Sequence, residues 1–142
     1  MINAKAIGLA RARDLHQTII SGTIYNMWPE IIVRRGWRLM GEGLVTDNPN
    51  DNYPDIVIKD EHKRLVFSLE ITRKKYISYD IRKCHQLQLR FPDAEFYIYN
   101  YETDILYALG DDGIWYNSNE YSINSRLFEH PLMEYIYLPE EY

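Results

Sequence analysis

From Ala4 to Trp28 the chain has no proline, and Ile7, Ala10, Leu15, Ile19, Ile20, Ile24 and Met27 recur at roughly helical intervals. The spacing predicts a long opening helix that stops before Pro29. Glu30 to Met40 is β-rich and partly alternating, which predicts a strand. Gly41 to Asn52 holds two Gly, three Asn, two Asp and Pro49, the composition of a surface loop. Tyr53–Ile58 and Leu65–Ile71 read as two strands of an antiparallel hairpin, joined by a turn at Lys59–Lys63. Over Ser78–Phe91 the residues Ile77, Ile81, Cys84, Leu87 and Phe91 repeat at three and four, so an amphipathic helix is expected, stopped by Pro92. Glu95–Asn100 and Ile105–Leu109 are further strands, and the turn Gly110–Gly113 leads to a hairpin partner at Ile114–Tyr116. The remainder has no clear period. Strands grouped ahead of a crossover helix predict an α/β (α+β) fold with a central mixed sheet flanked by helices.

A chain of 142 residues suits one domain spanning 1–142, and a hydrophobic fraction of 46% excludes global disorder. No apolar run approaches the roughly 18–20 residues of a membrane span, so no membrane partner is expected. The N-terminal residues lack the apolar core of a secretory signal. With Cys84 as the single cysteine there is no internal disulfide and no CxxC zinc site, and a reducing, cytoplasmic location is the expectation. The net charge of −5 argues at first against a nucleic-acid partner. Its distribution does not: residues 61–92 carry eight basic against three acidic side chains, whereas residues 93–142 carry one basic against eleven acidic.

Two acids stand where acids are awkward. Asp55 precedes the apolar run Ile56-Val57-Ile58, and Glu70 is flanked by Leu69 and Ile71 in an apolar strand. A carboxylate there costs several kcal/mol, on the order of an unpaired buried polar group or more, unless it is paired or binds a metal. If the two strands pair, Asp55 and Glu70 lie near one end of the sheet, and two such oxygen donors suit Mg²⁺. Other roles remain open at this point: Asp55 as a turn residue, Glu70 paired with Arg73 or Lys74, and Lys83 paired with Asp80 one helical turn back. Lys83, beside Cys84 on the apolar stripe, could instead carry its ammonium to the acids. Thirteen tyrosines are many; Tyr97, Tyr99, Tyr101, Tyr107 and Tyr116 fall on expected strands, as sheet packing or as a platform for unpaired bases. His62, His85 and His130 have no partner at ligand spacing, and Cys84 reads as a core residue.

Pro54-Asp55 followed by Glu70-Ile71-Thr72 resembles the signature of the PD-(D/E)XK nuclease superfamily, with Thr72 where the common pattern has lysine. The chain is similar to the Uma-type restriction endonuclease family, a branch in which the motif lysine is displaced to the following helix. The similarity runs through Pro54-Asp55, the strand ending in Glu70, Tyr79-Asp80, Lys83 and Glu95–Tyr99, with Leu15-His16-Gln17 upstream. The resemblance implies a restriction-endonuclease-like core and a DNA endonuclease using Mg²⁺ or Mn²⁺. It implies Asp55 and Glu70 as metal ligands and Lys83 as the catalytic cation, with Lys74 as the alternative. It also places His16 near the site, as a group supporting a ligand or as a base; Arg73, Lys74 and Lys75, close after Glu70 in the sequence, are candidates for the substrate phosphate. Two readings from other classes stand beside it: a catalytically degenerate module that binds nucleic acid or a protein partner, and a homo-oligomer, in its simplest form a homodimer, that buries its acidic, aromatic C-terminal half.

Overall fold

The proline-free opening segment forms α1 (Ala4–Trp28). The computed structural model describes residues 4–139, with side chains from Asp14 onward, so the side chains of Ile7 and Ala10 lie outside what is described. Ile19, Ile20, Thr23 and Met27 are buried on one face of α1. The helical course does not stop at Pro29. It continues as a π turn over Pro29–Val33, in which the Arg34 N–H donates to the Pro29 carbonyl at 3.0 Å. Pro29 stands at the first position of this turn, where its missing N–H is least costly. The strand expected over Glu30–Met40 is thereby reduced to β1 (Arg38–Gly41). Packing explains the difference: Ile31 is fully buried, and Glu30 accepts hydrogen bonds from the Glu129 N–H at 3.0 Å and from the Tyr135 hydroxyl. These contacts outweigh the local β preference of Ile31, Ile32 and Val33.

The remaining elements follow the periodicity closely. They are β2 (Ile56–Lys59), β3 (Leu65–Thr72), α2 (Ile77–Arg90), β4 (Glu95–Asn100), β5 (Ile105–Leu109) and β6 (Trp115–Asn117). The six strands form one mixed sheet in sequence order, so the fold is α+β. Every neighbouring pair is antiparallel except β3 and β4, which are parallel. A parallel pair needs a crossover, and α2 supplies it.

Strand alternation sorts the two faces. Ile56 and Ile58, Phe67, Leu69 and Ile71, and Tyr97 and Tyr99 pack with Ile19, Ile20 and Met27 of α1. The segment after β6, which has no readable period, returns to the same face through Phe128, Leu132, Tyr135 and Ile136. Val57, Phe96 and Ile98 pack with Cys84 and Leu87 of α2 on the other face. By the same alternation Ser68, Glu70 and Thr72 of β3 turn towards α2. No helix among the described residues is long and apolar enough to cross a membrane.

The loop between β1 and β2 is stapled to the far end of α2. Asp51 accepts both guanidinium N–H groups of Arg90, at 2.8 Å and 2.8 Å, and the Thr46 hydroxyl at 2.6 Å. The Arg90 bonds, then Thr46, hold the Asp51 carboxyl well below the usual carboxylate range. A carboxyl depressed by folding stabilises above its unfolded value, about 3.8 here, and that contribution is lost as the pH falls below it. Asp51→Asn is expected to cost about 1 kcal/mol at pH 7. The cost should shrink steadily as the pH is lowered from about 4 to about 2, in urea unfolding followed by tyrosine or tryptophan fluorescence.

Candidate active site

The β2–β3 register brings the two acids together. Ile56 lies opposite Leu69, so the antiparallel pairing carries Asp55 to the position beside Glu70, on the face turned towards α2. Asp55 stands just before β2, where its Oδ2 accepts the Ile71 N–H at 2.8 Å. Glu70 lies within β3 and is only 4% exposed.

Lys83 reaches Glu70 from α2. Asp80, Cys84 and Leu87 form the buried face of that helix, and Lys83 stands at its edge. Its side chain, 14% exposed, donates from Nζ to Glu70 Oε1 at 2.9 Å. Of the pairings open in the sequence, the structure takes neither Glu70 with Arg73 or Lys74 nor Lys83 with Asp80; it pairs Glu70 with Lys83.

His16 arrives from α1, over the end of the sheet. Its Nε2 lies 2.9 Å from the Ile71 carbonyl and 3.2 Å from Asp55 Oδ2. Both partners are acceptors, which assigns the proton to Nε2 and makes His16 the shared donor.

These contacts set the electrostatics. Burial, and after it the charge of Asp55, pushes Glu70 up to about 7. Burial works against the Lys83 ammonium, but the facing Glu70 carboxylate outweighs it and raises the Lys83 pKa. The hydrogen bond to Asp55 raises His16 above the ordinary imidazole value. Asp80 is raised as well, by burial, with the Thr72 hydroxyl opposing. In the sequence Asp80 stood only as a partner for Lys83 and as part of Tyr79-Asp80, not as a residue of the cleft. Its signal was present, three residues after Ile77 and four before Cys84, which puts an acid on the buried stripe.

Asp55, Glu70, Asp80, Lys83, His16 and Arg73 line one cleft of about 800 Å³. Of the basic run after β3, Arg73 alone belongs to it. Lys74 and Lys75 are exposed, and the Lys74 backbone N–H donates to Glu102 Oε1 at 2.7 Å. Lys83, not Lys74, is therefore the lysine at the acids. Tyr53, Tyr76, Tyr79 and Tyr101 also line the cleft. Only Tyr101 of these stands among the expected strand tyrosines; Tyr97 and Tyr99 are buried, with Tyr99 donating to Asp104 at 2.6 Å. His62 and His130 pair with neighbouring glutamates at the surface, and His85 accepts the Trp115 indole N–H at 3.0 Å. Cys84 is fully buried and its thiol is pushed up by burial, which suits packing and not nucleophilic attack.

Among the described residues Asp55 Oδ1 and Glu70 Oε2 have no hydrogen-bond partner, and no three His, Cys, Asp or Glu side chains converge as a ligand set. Two carboxylates at opposed strand positions, each with one oxygen free, suit a hard cation that keeps most of its waters, such as Mg²⁺ or Mn²⁺, and do not suit a closed zinc site. Compared with known families and curated proteins, the chain matches no family model and no relative.

The raised Glu70 has a measurable consequence without any metal. Its folded value of about 7 exceeds the ordinary 4.5, so its stabilising contribution is complete below about 4.5 and is lost as the pH rises to about 7. In EDTA, the wild type should lose about 1–3 kcal/mol relative to Glu70→Gln between pH 5 and pH 8. Parallel stability profiles for the two proteins in chemical denaturation would contradict the placement of Glu70.

Proposed function

We propose that the chain is a metal-dependent nuclease with a restriction-endonuclease-like core, hydrolysing phosphodiester bonds in DNA. The observation that carries the reading is the junction of Asp55, Glu70 and Lys83 at one end of the sheet, with Lys83 Nζ 2.9 Å from Glu70. The order helix, three strands, helix, strand, with the parallel β3–β4 pair spanned by α2, also supports it. So does the resemblance of Pro54-Asp55, Glu70, Tyr79-Asp80 and Lys83 to the Uma-type family.

In this reading Asp55 and Glu70 would hold the divalent cation, which would supply Lewis acidity to the phosphate and the attacking water. Lys83 keeps N–H groups free beyond the one given to Glu70, and turns them to the phosphate oxygens on which negative charge grows. Partial burial strengthens that interaction relative to water. Its charge replaces the lysine that Thr72 does not provide. His16 is a positioning residue: its Nε2–H donates to Asp55 and to the Ile71 carbonyl, so the imidazole holds the carboxylate in place. Arg73, at the edge of the cleft, contacts the adjacent phosphate, and Lys74 and Lys75 lie outside it.

The test is cleavage of plasmid and of single-stranded circular DNA in Mg²⁺ or Mn²⁺. Asp55→Ala and Glu70→Ala should abolish cleavage, as should EDTA. Lys83→Ala should slow it by about a hundredfold, the order of losing one preorganised charge-stabilising donor. Cleavage unchanged in both acid variants overturns the proposal. DNA binding with no cleavage under either cation would make the domain a binding module instead.

A further inference from the structure

We infer that the cleft takes an unpaired strand in preference to a duplex, holding its bases by stacking on tyrosines at the mouth of the site; this rests on the nuclease reading of the same cleft. Tyr53, Tyr76 and Tyr79 are 59%, 47% and 60% exposed, and all three line the cleft that contains Asp55, Glu70 and Lys83. They come from two walls. Tyr53 ends the loop before β2, while Tyr76 and Tyr79 stand three residues apart at the start of α2, which puts them on the same side. None of the three stacks on another aromatic ring among the described residues, and no cation lies over Tyr53 or Tyr79, so the faces of these two are open to a ligand. Arg73 and Lys75 lie over the Tyr76 ring, 5.3 Å and 5.6 Å from its centroid, so Tyr76 holds positive charge at the mouth and leaves the stacking to Tyr53 and Tyr79.

Charge separates the two substrates. Duplex DNA is held chiefly by many cation–phosphate contacts. The cleft is lined by Asp51, Asp55, Glu70 and Asp80 against Lys83 and Arg73, with His16 as a third cation when protonated. The divalent cation of the nuclease reading brings that lining only to about neutral, so it gives little purchase on a phosphate ladder, and the whole chain carries −5. Paired bases also keep their faces in the stack, where tyrosine rings cannot reach them. An unpaired strand can turn its bases out onto Tyr53 and Tyr79 while its backbone lies over the acids and Lys83. Stacking of this kind is tolerant of sequence, so a strand of any sequence is the class expected.

The test is fluorescence anisotropy in Mg²⁺ with a fluorescein-labelled phosphorothioate dT12, which resists hydrolysis, against a 12-base-pair phosphorothioate duplex. The single strand should bind at least tenfold more tightly than the duplex. Tyr53→Ala and Tyr79→Ala should each weaken it by about tenfold, the loss expected for one stacked base. Tyr→Phe at either position should retain binding, because the ring and not the hydroxyl makes the contact. Equal or tighter duplex binding, or alanine variants that bind like the wild type, overturns the inference, as does a single strand that does not bind. The two readings fail separately. Cleavage that depends on Asp55 and Glu70 but ignores the tyrosines would keep the nuclease and remove the stacking mouth. Tyrosine-dependent single-strand binding with no cleavage would do the reverse.

Discussion

A carboxylate at the end of a buried strand has to be answered by a positive charge or by a metal, and the architecture of this chain is arranged around the answer to Glu70. The partner is not on a neighbouring strand. It is Lys83, and Lys83 can reach Glu70 only if a helix begins promptly after β3 and lies back across the sheet. The three-residue turn Lys74–Tyr76 accomplishes that reversal, and the helix then delivers β4 parallel to β3. The parallel pair, the crossover and the ion pair are thus one constraint seen at three scales. Asp55 is fixed from the other side, by the Ile71 N–H and by His16, so neighbouring residues of β3 position both acids.

Where hydrophobic period and turn chemistry agreed, the elements could be read directly from residues. The strands around Ile56–Ile58 and Leu65–Ile71 and the helix with Cys84 and Leu87 emerge close to where alternation and the three-four spacing put them. Asp55 and Glu70 were legible as acids out of place, and their meeting followed from the hairpin. The failures have physical causes. Glu30–Val33 has strand-forming side chains, but its course is decided by Ile31 in the core and by Glu30 bonded to Tyr135, 105 positions away. No local window carries that information. Asp80 could have been found from its place on the stripe. The exposed tyrosines could not, because exposure of Tyr53 and Tyr79 depends on where the two walls of the cleft end up.

The acidic C-terminal third looks different once its partners are known. The acids and the tyrosines, read separately in the sequence, meet at three points in this region and at one beyond it. Tyr97 donates to Glu95, Tyr99 to Asp104 and Tyr116 to Asp112, and Tyr135 donates across the molecule to Glu30. A carboxylate acceptor lets a tyrosine bury its ring and still satisfy its hydroxyl. Glu95 and Asp104 therefore serve buried tyrosines, Tyr97 and Tyr99.

Helix α2 carries four unrelated duties on one set of turns. Cys84 and Leu87 fill the sheet face, Asp80 and Lys83 reach the cleft, Tyr79 stands at its mouth, and Arg90 ties down the Asp51 loop. Substitution can alter these one at a time, but a change in length cannot. Inserting a single residue after Asp80 would rotate everything beyond it by about 100°, moving Lys83 off Glu70, Leu87 out of the core and Arg90 away from Asp51 together. In the loop before β2, Val45 is buried with the core on the α2 face, and only the exposed stretch 47–50 is free of such coupling. Length variation in this domain should therefore be confined to loops, with the fourteen residues of α2 a fixed length.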